Sequence, residues 1–399
     1  MRIASIHVAF DEIGGAERCV LEQAGYLKRN HSIDLFATYI KPSFYHSDLK
    51  GFEVRQLLSV SSPIFPLFTS IAAGTLLARS FRREFEQYDI LLSHQEPAHW
   101  IAYCAKRPYI VQIHSLPTVL YPDCLEDAEN TLPLLDSGYV RLGIRAIANF
   151  RGRKFLRWID QKSVQEAKKV LAPFGKMIGR AIHDMYGVNA VQIPFGIDFS
   201  RYCYTSPAQV FAKHSINHPM ILMVTRPVPI KRPDLLIRIL PKILRDHPTA
   251  TLVIVSEKGR YTSFLRRLAR RFEVEASTRI LSTSQHELNA LYSGASVFGF
   301  PTQAPETLGR VVIEAMYFGV PPVVWDNGWG PAEVVKDGVG LRAQSYDIND
   351  FLDKILALLN DNDERKRMGE KAKHYVVKEF SWQRAGPVLE EILQRTIQE

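Results

Sequence analysis

Short apolar runs alternate with amphipathic stretches through the first half of the chain. The apolar runs predict buried strands, at Ile3–Val8, Ile33–Ala37, Ile90–Ser93, Tyr109–Ile113 and Val170–Ala172. Apolar residues at helical spacing predict helices between them, among them Ala16–Arg29, Ala98–Cys104 and Leu156–Lys168. Alternation of this kind is typical of a parallel, doubly wound sheet.

The second half repeats this rhythm from about Met220. Its predicted strands are Ile221–Thr225, Thr251–Val255, Arg279–Leu281, Val297–Phe300 and Pro322–Trp325. A helix is predicted from near His286, and after Asp347 the chain is expected to be helical to its end. With 399 residues, the chain is long enough for two domains with separate cores. The predicted fold class is therefore α/β, with two parallel-sheet domains.

One stretch of the second half, residues 297–316, places a carboxylate at the end of a strand. The strand Val297–Phe300 stops at Pro301, a polar loop follows, and helical spacing begins at Thr307. Glu306 is thus predicted to lie where a helix begins. Open α/β sheets bind ligands at the carboxyl ends of their strands, and the unpaired N–H groups of a helix start attract phosphate.

A second carboxylate, Glu314, follows eight residues after Glu306. On a helix that separation corresponds to roughly 12 Å of rise. A sugar at Glu306 and a ribose at Glu314 would leave a diphosphate between them, and Gly309 would let that diphosphate approach closely. The alternative is a helix with an acidic N-terminus and one further surface glutamate.

Further motifs lie on both sides of this stretch in the sequence. They are the strand Ile221–Thr225 followed by Arg226 and Lys231, the turn and strand Gly319–Trp325, and the glycine-rich loop Asn327–Val335. With the two glutamates, they make the chain resemble the retaining glycosyltransferases of family 4, which have the GT-B fold. The resemblance runs from Gly14-Gly15-Ala16-Glu17-Arg18 to Phe380-Ser381-Trp382, and the separate motifs fall in the family's order.

The resemblance implies two Rossmann-like, doubly wound domains that face a cleft. Residues 1–195 would form the acceptor-binding domain, with 381–399 packing back onto it, and residues 196–380 the nucleotide-sugar-binding domain. The junction at Val191–Asp198 resembles the family's Pro-Asn-Gly-Ile-Asp linker, with Phe195 in place of the asparagine. The last helix, from about Ser381, is expected to cross back to the first domain.

The resemblance also implies a nucleoside-diphosphate sugar as the donor. The reaction would retain the anomeric configuration and would need neither a metal ion nor a cofactor. Arg226 and Lys231 would neutralise the departing diphosphate together with the helix start, and Arg310 is either a third cation or a solvent-facing residue. Glu314 would bind the ribose hydroxyls and Glu306 the transferred sugar.

The residues after Glu306 depart from the family pattern. The family reads Glu-Gly-Phe-Gly, whereas this chain reads Glu306-Thr307-Leu308-Gly309. Because the family places the residue at Thr307 beside the donor sugar, analogy does not fix that sugar; a hexose, mannose or glucose, is favoured. The expected acceptor is a glycan or a lipid-linked molecule.

The first half carries a glycine loop and two histidines at predicted strand ends. Gly14 and Gly15 precede a helix without Gly-x-Gly-x-x-Gly spacing, which disfavours a nicotinamide site. By resemblance, this loop with Gly15 would lie against the donor diphosphate and the acceptor; the alternative is a plain strand-to-helix turn. His114 fits the family position that contacts the donor sugar, and His94 matches a frequent family histidine of less defined role.

Composition and charge leave this interpretation in place. Hydrophobic residues at 46% and charged residues at 23% are ordinary for a globular protein, and the net charge of +8 permits anionic partners without selecting one. The four cysteines are scattered, which disfavours zinc and disulfides and fits the cytoplasm. The uncharged run Gln56–Ala78 contains Pro63, Pro66 and Gly74, which favours a loop and an interfacial helix over a membrane span.

A basic stretch lies at residues 137–159, where six arginines and lysines are interleaved with apolar residues and no acidic residue occurs. This pattern predicts peripheral contact with an anionic membrane face. Nucleic-acid binding is disfavoured because no groove-reading motif accompanies the charge. The alternative is a solvated helix whose apolar face packs on the core.

Other interpretations of the whole chain remain at this point. A sugar phosphorylase or a nucleotide-sugar epimerase shares the fold, and a basic binding protein without enzymatic activity is the third possibility. Asp361-Asn362-Asp363 matches an Asp-x-Asp metal motif, but it lies between two helical stretches, where helix capping explains it better.

Overall fold

The structure is a computed structural model that describes residues 1–10, 14–41, 51–52, 54–57, 81–117, 120–121 and 153–399. Contacts divide the described chain into two units. The first takes the described residues of Met1–Cys124, Arg145–Asp198 and Phe380–Glu399, and the second contains Phe199–Glu379. The predicted domain limits, 1–195 with 381–399 and 196–380, remain a prediction.

The first unit is built on a seven-stranded parallel sheet in the order β3-β2-β1-β4-β5-β6-β7. Its strands are β1 (Arg2–Phe10), β2 (Ser32–Ile40), β3 (Val54–Gln56), β4 (Ile90–His94), β5 (Tyr109–Gln112), β6 (Lys169–Pro173) and β7 (Val191–Ile193). Its helices are α1 (Gly15–Leu27), α2 (Arg82–Phe85), α3 (Ala98–Ala105), α4 (Arg153–Gln165), α5 (Lys176–Tyr186) and, after the second unit, the last helix of the chain.

The second unit contains a six-stranded parallel sheet in the order β10-β9-β8-β11-β12-β13. Its strands are β8 (Met220–Val224), β9 (Thr251–Val255), β10 (Thr278–Leu281), β11 (Val297–Phe300), β12 (Pro322–Trp325) and β13 (Leu341–Ala343). Its helices are α6 (Ala208–His214), α7 (Pro233–Asp246), α8 (Arg260–Arg271), α9 (Gln285–Gly294), α10 (Arg310–Tyr317), α11 (Gly330–Val334), α12 (Ile348–Asn360) and α13 (Asn362–Glu379).

Each sheet has a point where the chain order changes direction, and these points position the functional residues. In the first sheet β1 lies between β2 and β4, and in the second sheet β8 lies between β9 and β11. Loops that leave neighbouring strands there diverge to opposite faces and open a crevice at the carboxyl ends of the strands. The loop after β8 carries Arg226 and Lys231, and the loop after β11 carries Glu306.

The last helix, α14 (Trp382–Gln398), belongs to the first unit, as the fold class predicts. The ring of Trp382 stacks on Tyr26 of α1 with centroids 5.3 Å apart. A side chain at Gly196 would collide with the Trp382 ring, so the absence of a side chain lets the backbone at Gly196 lie against this indole. The Ile197 N–H also donates to the Phe380 carbonyl oxygen at 2.7 Å.

A buried carboxylate joins three helices of the first unit. The Asp160 side chain on α4 accepts hydrogen bonds from His99 and Trp100 of α3, each at 2.8 Å, and from Tyr186 of α5 at 3.0 Å. Asp160 and His99 are fully buried. Burial and the charge of Asp160 raise the pKa of the nearby Glu96 to about 8.

These elements also bear on the expected helix cap at Asp361 and on the possible membrane span. Helix capping is confirmed at Asp361, whose carboxylate accepts a hydrogen bond from the Glu364 N–H at 2.9 Å at the start of α13. Among the described residues no helix is long and apolar enough to cross a membrane. The predicted interfacial run Gln56–Ala78 and the part of the basic stretch before residue 153 lie largely outside the described residues.

Candidate active site

The cationic side of the site is the loop that follows β8. Arg226 is exposed, and the chain then forms a single 3-10 turn at Pro229–Lys231 that carries Lys231 into the protein. The Lys231 ammonium group contacts the Glu306 carboxylate, and the lysine is only 9% exposed. Burial and the positive charge of Arg226 lower the pKa of Lys231 to about 7.

The loop of Glu306 is fixed through its backbone on both sides. The Gln303 N–H donates to the Ile230 carbonyl oxygen at 2.9 Å, which joins this loop to the loop of Lys231. The Gly330 N–H donates to the Glu306 carbonyl oxygen, also at 2.9 Å. A side chain at Gly330 would collide with the backbone of Thr307. The glycine-rich loop therefore packs directly against the residues that follow Glu306.

The helix after Glu306 begins later than the sequence predicts. We expected helical structure from Thr307, but α10 spans Arg310–Tyr317 with Gly309 as its N-cap residue. Gly309 has a φ of +75°, in the left-handed region, and this conformation separates the loop from the helix. Thr307 is buried and Leu308 is half-buried in that loop.

The proposed helical ruler between the two glutamates is consequently wrong. Only Glu314 lies on α10, whereas Glu306 lies four residues before the helix starts at Arg310. The estimate of roughly 12 Å assumed one continuous helix and does not apply. The N-terminus of α10 nevertheless follows the Glu306 loop directly in sequence, and the Lys231 ammonium group contacts the Glu306 carboxylate.

Glu314 is buried and its carboxylate is well supplied with donors. Its Oε1 accepts from the Tyr202 hydroxyl at 2.7 Å and from Arg310 Nε at 3.3 Å, and its Oε2 accepts from the Tyr292 hydroxyl at 3.1 Å. The side chains of Glu314 and Arg310 are 4% and 10% exposed. The alternative that Arg310 faces solvent is therefore wrong.

The tyrosines around Glu314 belong to a cluster of rings. Tyr292 stacks on Phe318 at 5.3 Å between centroids, and the Phe318 ring is perpendicular to that of Tyr202. Tyr202 and Tyr292 lie 112 and 22 residues from Glu314 in sequence. Sequence reasoning missed both, because no local pattern connects residues that far apart.

The first unit places the glycine loop beside a histidine and a glutamate. Glu17, in the first turn of α1, has Oε1 3.4 Å from Nε2 of His7 on β1. Burial alone raises the pKa of Glu17, but the hydrogen bond and charge of His7 outweigh it, and the net pKa is lowered. A side chain at Gly14 would meet the Glu17 carboxylate, whereas Gly15 is exposed and has open space around it.

The two strand-end histidines contact each other. His94, at the end of β4, is fully buried, and its Nδ1 lies 2.9 Å from Nε2 of His114, which follows β5. Phe195, which replaces the family's asparagine, meets the His114 ring edge-to-face at 5.8 Å between centroids. His94 ends β4 and His114 follows β5, and these two strands are neighbours in one parallel sheet. That arrangement was a signal that they would meet.

Two family models match the chain. The one described as Glycosyltransferase Family 4 matches residues 13–201, and the one described as Glycosyl transferases group 1 matches residues 208–375. A D-inositol 3-phosphate glycosyltransferase of Corynebacterium aurimucosum is 32% identical over 403 residues, which is 96% of this chain and 91% of the relative. This chain belongs to the family 4 glycosyltransferases.

Other relatives match this chain over a shorter stretch. A GDP-mannose-dependent monoacylated alpha-(1-6)-phosphatidylinositol monomannoside mannosyltransferase of Corynebacterium glutamicum is 32% identical over 215 residues, 51% of this chain and 55% of that relative. A D-inositol 3-phosphate glycosyltransferase of Nocardia farcinica is 30% identical over 54% of this chain and 51% of the relative. The chain thus spans about half the length of these relatives.

Solved structures confirm the GT-B fold of this chain. A sucrose-phosphate synthase from Thermosynechococcus elongatus has a TM-score of 0.78 at 18% identity and covers 99% of this chain and 98% of its own. HepE from Anabaena, in complex with UDP-glucose, has a TM-score of 0.76 at 17% identity over 99% of this chain and 100% of its own. At these identities the likeness supports the fold alone.

Proposed function

We propose that this protein transfers a hexose, with mannose or glucose favoured, from a nucleoside-diphosphate sugar to a glycan or lipid-linked acceptor. The observation that carries the proposal is the buried contact between Lys231 and Glu306 at the point where the second sheet changes direction. A buried ammonium group with Arg226 nearby is suited to a diphosphate, and the carboxylate beside it is suited to sugar hydroxyls. The relative named for GDP-mannose supports the donor class.

In this proposal the residues of the second unit divide the donor between them. Arg226 and Lys231 bind the diphosphate, with the loop of Thr307 and Leu308 and the helix start at Gly309 beside it. Glu306 orients the transferred sugar. Glu314 binds the ribose, and the Tyr202 hydroxyl on its Oε1 must then share or yield that oxygen. The family resemblance further implies that Gly15 lies beside the donor and that His114 contacts the sugar.

The reaction would retain the anomeric configuration by attack on the face from which the diphosphate leaves. The bond from the anomeric carbon to the β-phosphate oxygen breaks, and the acceptor oxygen forms a bond to that carbon. The acceptor proton passes to the leaving phosphate oxygen. Arg226 and Lys231 stabilise the negative charge that accumulates on the diphosphate. No metal ion or cofactor is part of the proposed reaction.

The first experiment is a screen of nucleotide sugars, including GDP-mannose and UDP-glucose, for an increase in melting temperature. The donor that stabilises the protein then serves in transfer assays with lipid-linked and glycan acceptors. We expect Glu306→Ala to abolish transfer while donor binding largely survives, and Glu370→Ala, an exposed change on α13, to leave both unchanged. Equal transfer by Glu306→Ala and the wild-type protein would refute the role of Glu306.

The same assays separate the other enzyme classes that share this fold. A requirement for pyridoxal phosphate would identify a phosphorylase, and conversion of the donor without acceptor would identify an epimerase. A non-enzymatic binding protein would tolerate the loss of Glu306 and Glu314 together.

We also propose peripheral contact with an anionic membrane through α4. Phe155 and Trp158 are each 50% exposed and stack on each other at 5.9 Å between centroids. Lys154 is exposed beside them, while Leu156 and Ile159 are buried and attach the helix to its unit. Two exposed aromatic rings next to a cation suit a headgroup interface.

This contact is tested by co-sedimentation with vesicles of phosphatidylglycerol and of phosphatidylcholine. We expect binding to the anionic vesicles only, and its loss in a Phe155→Ser, Trp158→Ser double variant of unchanged melting temperature. Exposed Phe264 on α8 provides a control, since Phe264→Ser should not affect sedimentation. Equal sedimentation of the double variant would refute the contact.

A further inference from the structure

A series of three hydrogen-bonded polar side chains crosses the first sheet and ends at His114, the candidate sugar contact. The Ser5 hydroxyl oxygen on β1 lies 3.0 Å from Nε2 of His94, and Nδ1 of His94 lies 2.9 Å from Nε2 of His114. Ser5 is 2% exposed and His94 is 0% exposed, whereas His114 is half-buried. Ser5 and His94, at the buried end of this hydrogen-bonded series, are thus fixed by the sheet, and His114 at the other end is partly accessible.

Neither the His94 nor the His114 imidazole is charged at neutral pH. Burial, together with the other histidines nearby, lowers the pKa of His94 well below its usual range. Burial and the charge of His7 likewise lower the pKa of His114 to about 3, although Glu17 acts in the opposite direction. A single hydrogen therefore lies between Nδ1 of His94 and Nε2 of His114, on one nitrogen or the other.

The Ser5 hydroxyl determines whether this hydrogen lies on Nδ1 of His94 or on Nε2 of His114. Among the described residues, Nε2 of His94 is the hydrogen-bond partner of the Ser5 hydroxyl. If His94 donated to Ser5, the hydroxyl hydrogen would remain buried without an acceptor, which is unfavourable. Ser5 therefore donates to Nε2 of His94, and Nδ1 of His94 carries the hydrogen and donates to Nε2 of His114. The neutral His114 then carries its own hydrogen on Nδ1.

We propose that His94 is a positioning residue for sugar transfer, and that with Ser5 it holds His114 in the tautomer that has its hydrogen on Nδ1. This inference rests on the proposed function of His114 as a sugar contact. In this tautomer the remaining ring nitrogen of His114 is a donor, which suits a sugar or phosphate oxygen. In the opposite tautomer it would present a lone pair, which repels phosphate oxygens and can bond only to a hydroxyl hydrogen.

The tautomer can be measured without any substrate. The protein is labelled with ¹⁵N-histidine, and the ring signals of His94 and His114 are assigned by their disappearance in His94→Phe and His114→Ala. We expect a protonated Nδ1 and an unprotonated Nε2 for both residues in the wild-type protein, and a mixture of tautomers at His114 in Ser5→Ala. A protonated Nε2 on His114 of the wild-type protein would overturn the assignment.

The effect on the reaction is measured by a double-mutant cycle. We expect His94→Phe to lower kcat about tenfold, the loss of roughly one well-placed hydrogen bond, and His94→Asn, whose amide reaches the place of Nδ1, to restore most of it. In a His114→Ala background the change at His94 should alter kcat by less than about twofold, because it acts through His114.

An equal loss from His94→Phe in both backgrounds would show a merely structural role and overturn the proposal. Should His94→Phe fail to fold, Ser5→Ala supports or overturns the proposal through the same cycle and the same ring signals. Absence of transfer by the wild-type protein would refute the proposed function, while the tautomer measurement would still decide the arrangement of hydrogens.

Discussion

If Lys231 binds the donor diphosphate as proposed, its protonation makes donor affinity depend on pH. Burial and the charge of Arg226 lower the pKa of this amine to about 7, so that much of it is neutral just above that pH. The contacting Glu306 carboxylate acts in the opposite direction, because an opposite charge favours the ammonium form. A bound diphosphate adds further negative charge and raises the pKa of Lys231, so that donor binding takes up a proton.

The size of the effect follows from the titration of this one group. With a pKa of about 7 in the free protein, the charged fraction of Lys231 falls from about nine-tenths at pH 6 to about one-tenth at pH 8. If only the charged form binds the diphosphate, the affinity falls about tenfold, or about 1.4 kcal/mol, over this interval. Binding is therefore strongest below about pH 7 and weakens as pH rises.

The assay is calorimetric titration with the nucleotide sugar that stabilises the protein, at pH 6, 7 and 8. A nucleotide sugar is the correct probe because both of its phosphates are esterified and do not titrate near neutrality. Titrations in buffers of different ionisation enthalpy report the proton uptake directly. We expect uptake of close to one proton at pH 8 in the wild-type protein and none in Lys231→Met.

Two variants make this test specific. Lys371→Met, an exposed change on α13, should keep the wild-type dependence on pH. Glu306→Gln should move the dependence to lower pH, because it removes the carboxylate that favours the ammonium form. The same affinity of the wild-type protein at pH 6 and pH 8, or an equal decrease in Lys231→Met, would refute the assigned role of this amine.

Three further predictions concern substitutions at the site. Glu314→Gln should lower the free energy of unfolding by about 2–4 kcal/mol in chemical denaturation, because it leaves the buried Arg310 without its carboxylate partner. Gly309→Ala should cost about 1–3 kcal/mol, since the left-handed φ is unfavourable for alanine and the new methyl group would lie 2.8 Å from Pro331. Gly15→Ala should leave the melting temperature unchanged or higher, because the position is open and helical, yet weaken donor binding measured by calorimetry.

The buried strands of the second unit were predictable because their apolar runs are bounded by polar or turn residues. Thr251–Val255, Val297–Phe300 and Pro322–Trp325 have the predicted limits. The missed strands β3, β7 and β13 have three residues each, and each contains a polar or charged side chain. A segment that short has no measurable periodicity, and it is a strand only because the neighbouring strand supplies its hydrogen bonds.

The start of α10 was predicted wrongly for a physical reason that the sequence does contain. The apolar spacing from Leu308 onward continues the pattern of the helix, and periodicity alone cannot locate a helix start. Gly309 can adopt a positive φ without strain, and that property interrupts the helix where the hydrophobic pattern does not. A glycine immediately before a periodic stretch is therefore an N-cap candidate.

The motif Gly328-Trp329-Gly330-Pro331 packs against the residues at and after Glu306. Within the second unit, Gly330 donates its N–H to the Glu306 carbonyl oxygen, and the absence of a side chain lets it lie against the backbone of Thr307. Pro331 occupies the space beside Gly309. These contacts fix the backbone at Glu306 and just after it, so the direction of the Glu306 carboxylate depends on a loop more than twenty residues away. The recognisable spacing of the motif therefore reflects the close packing of two backbones, and this packing positions Glu306.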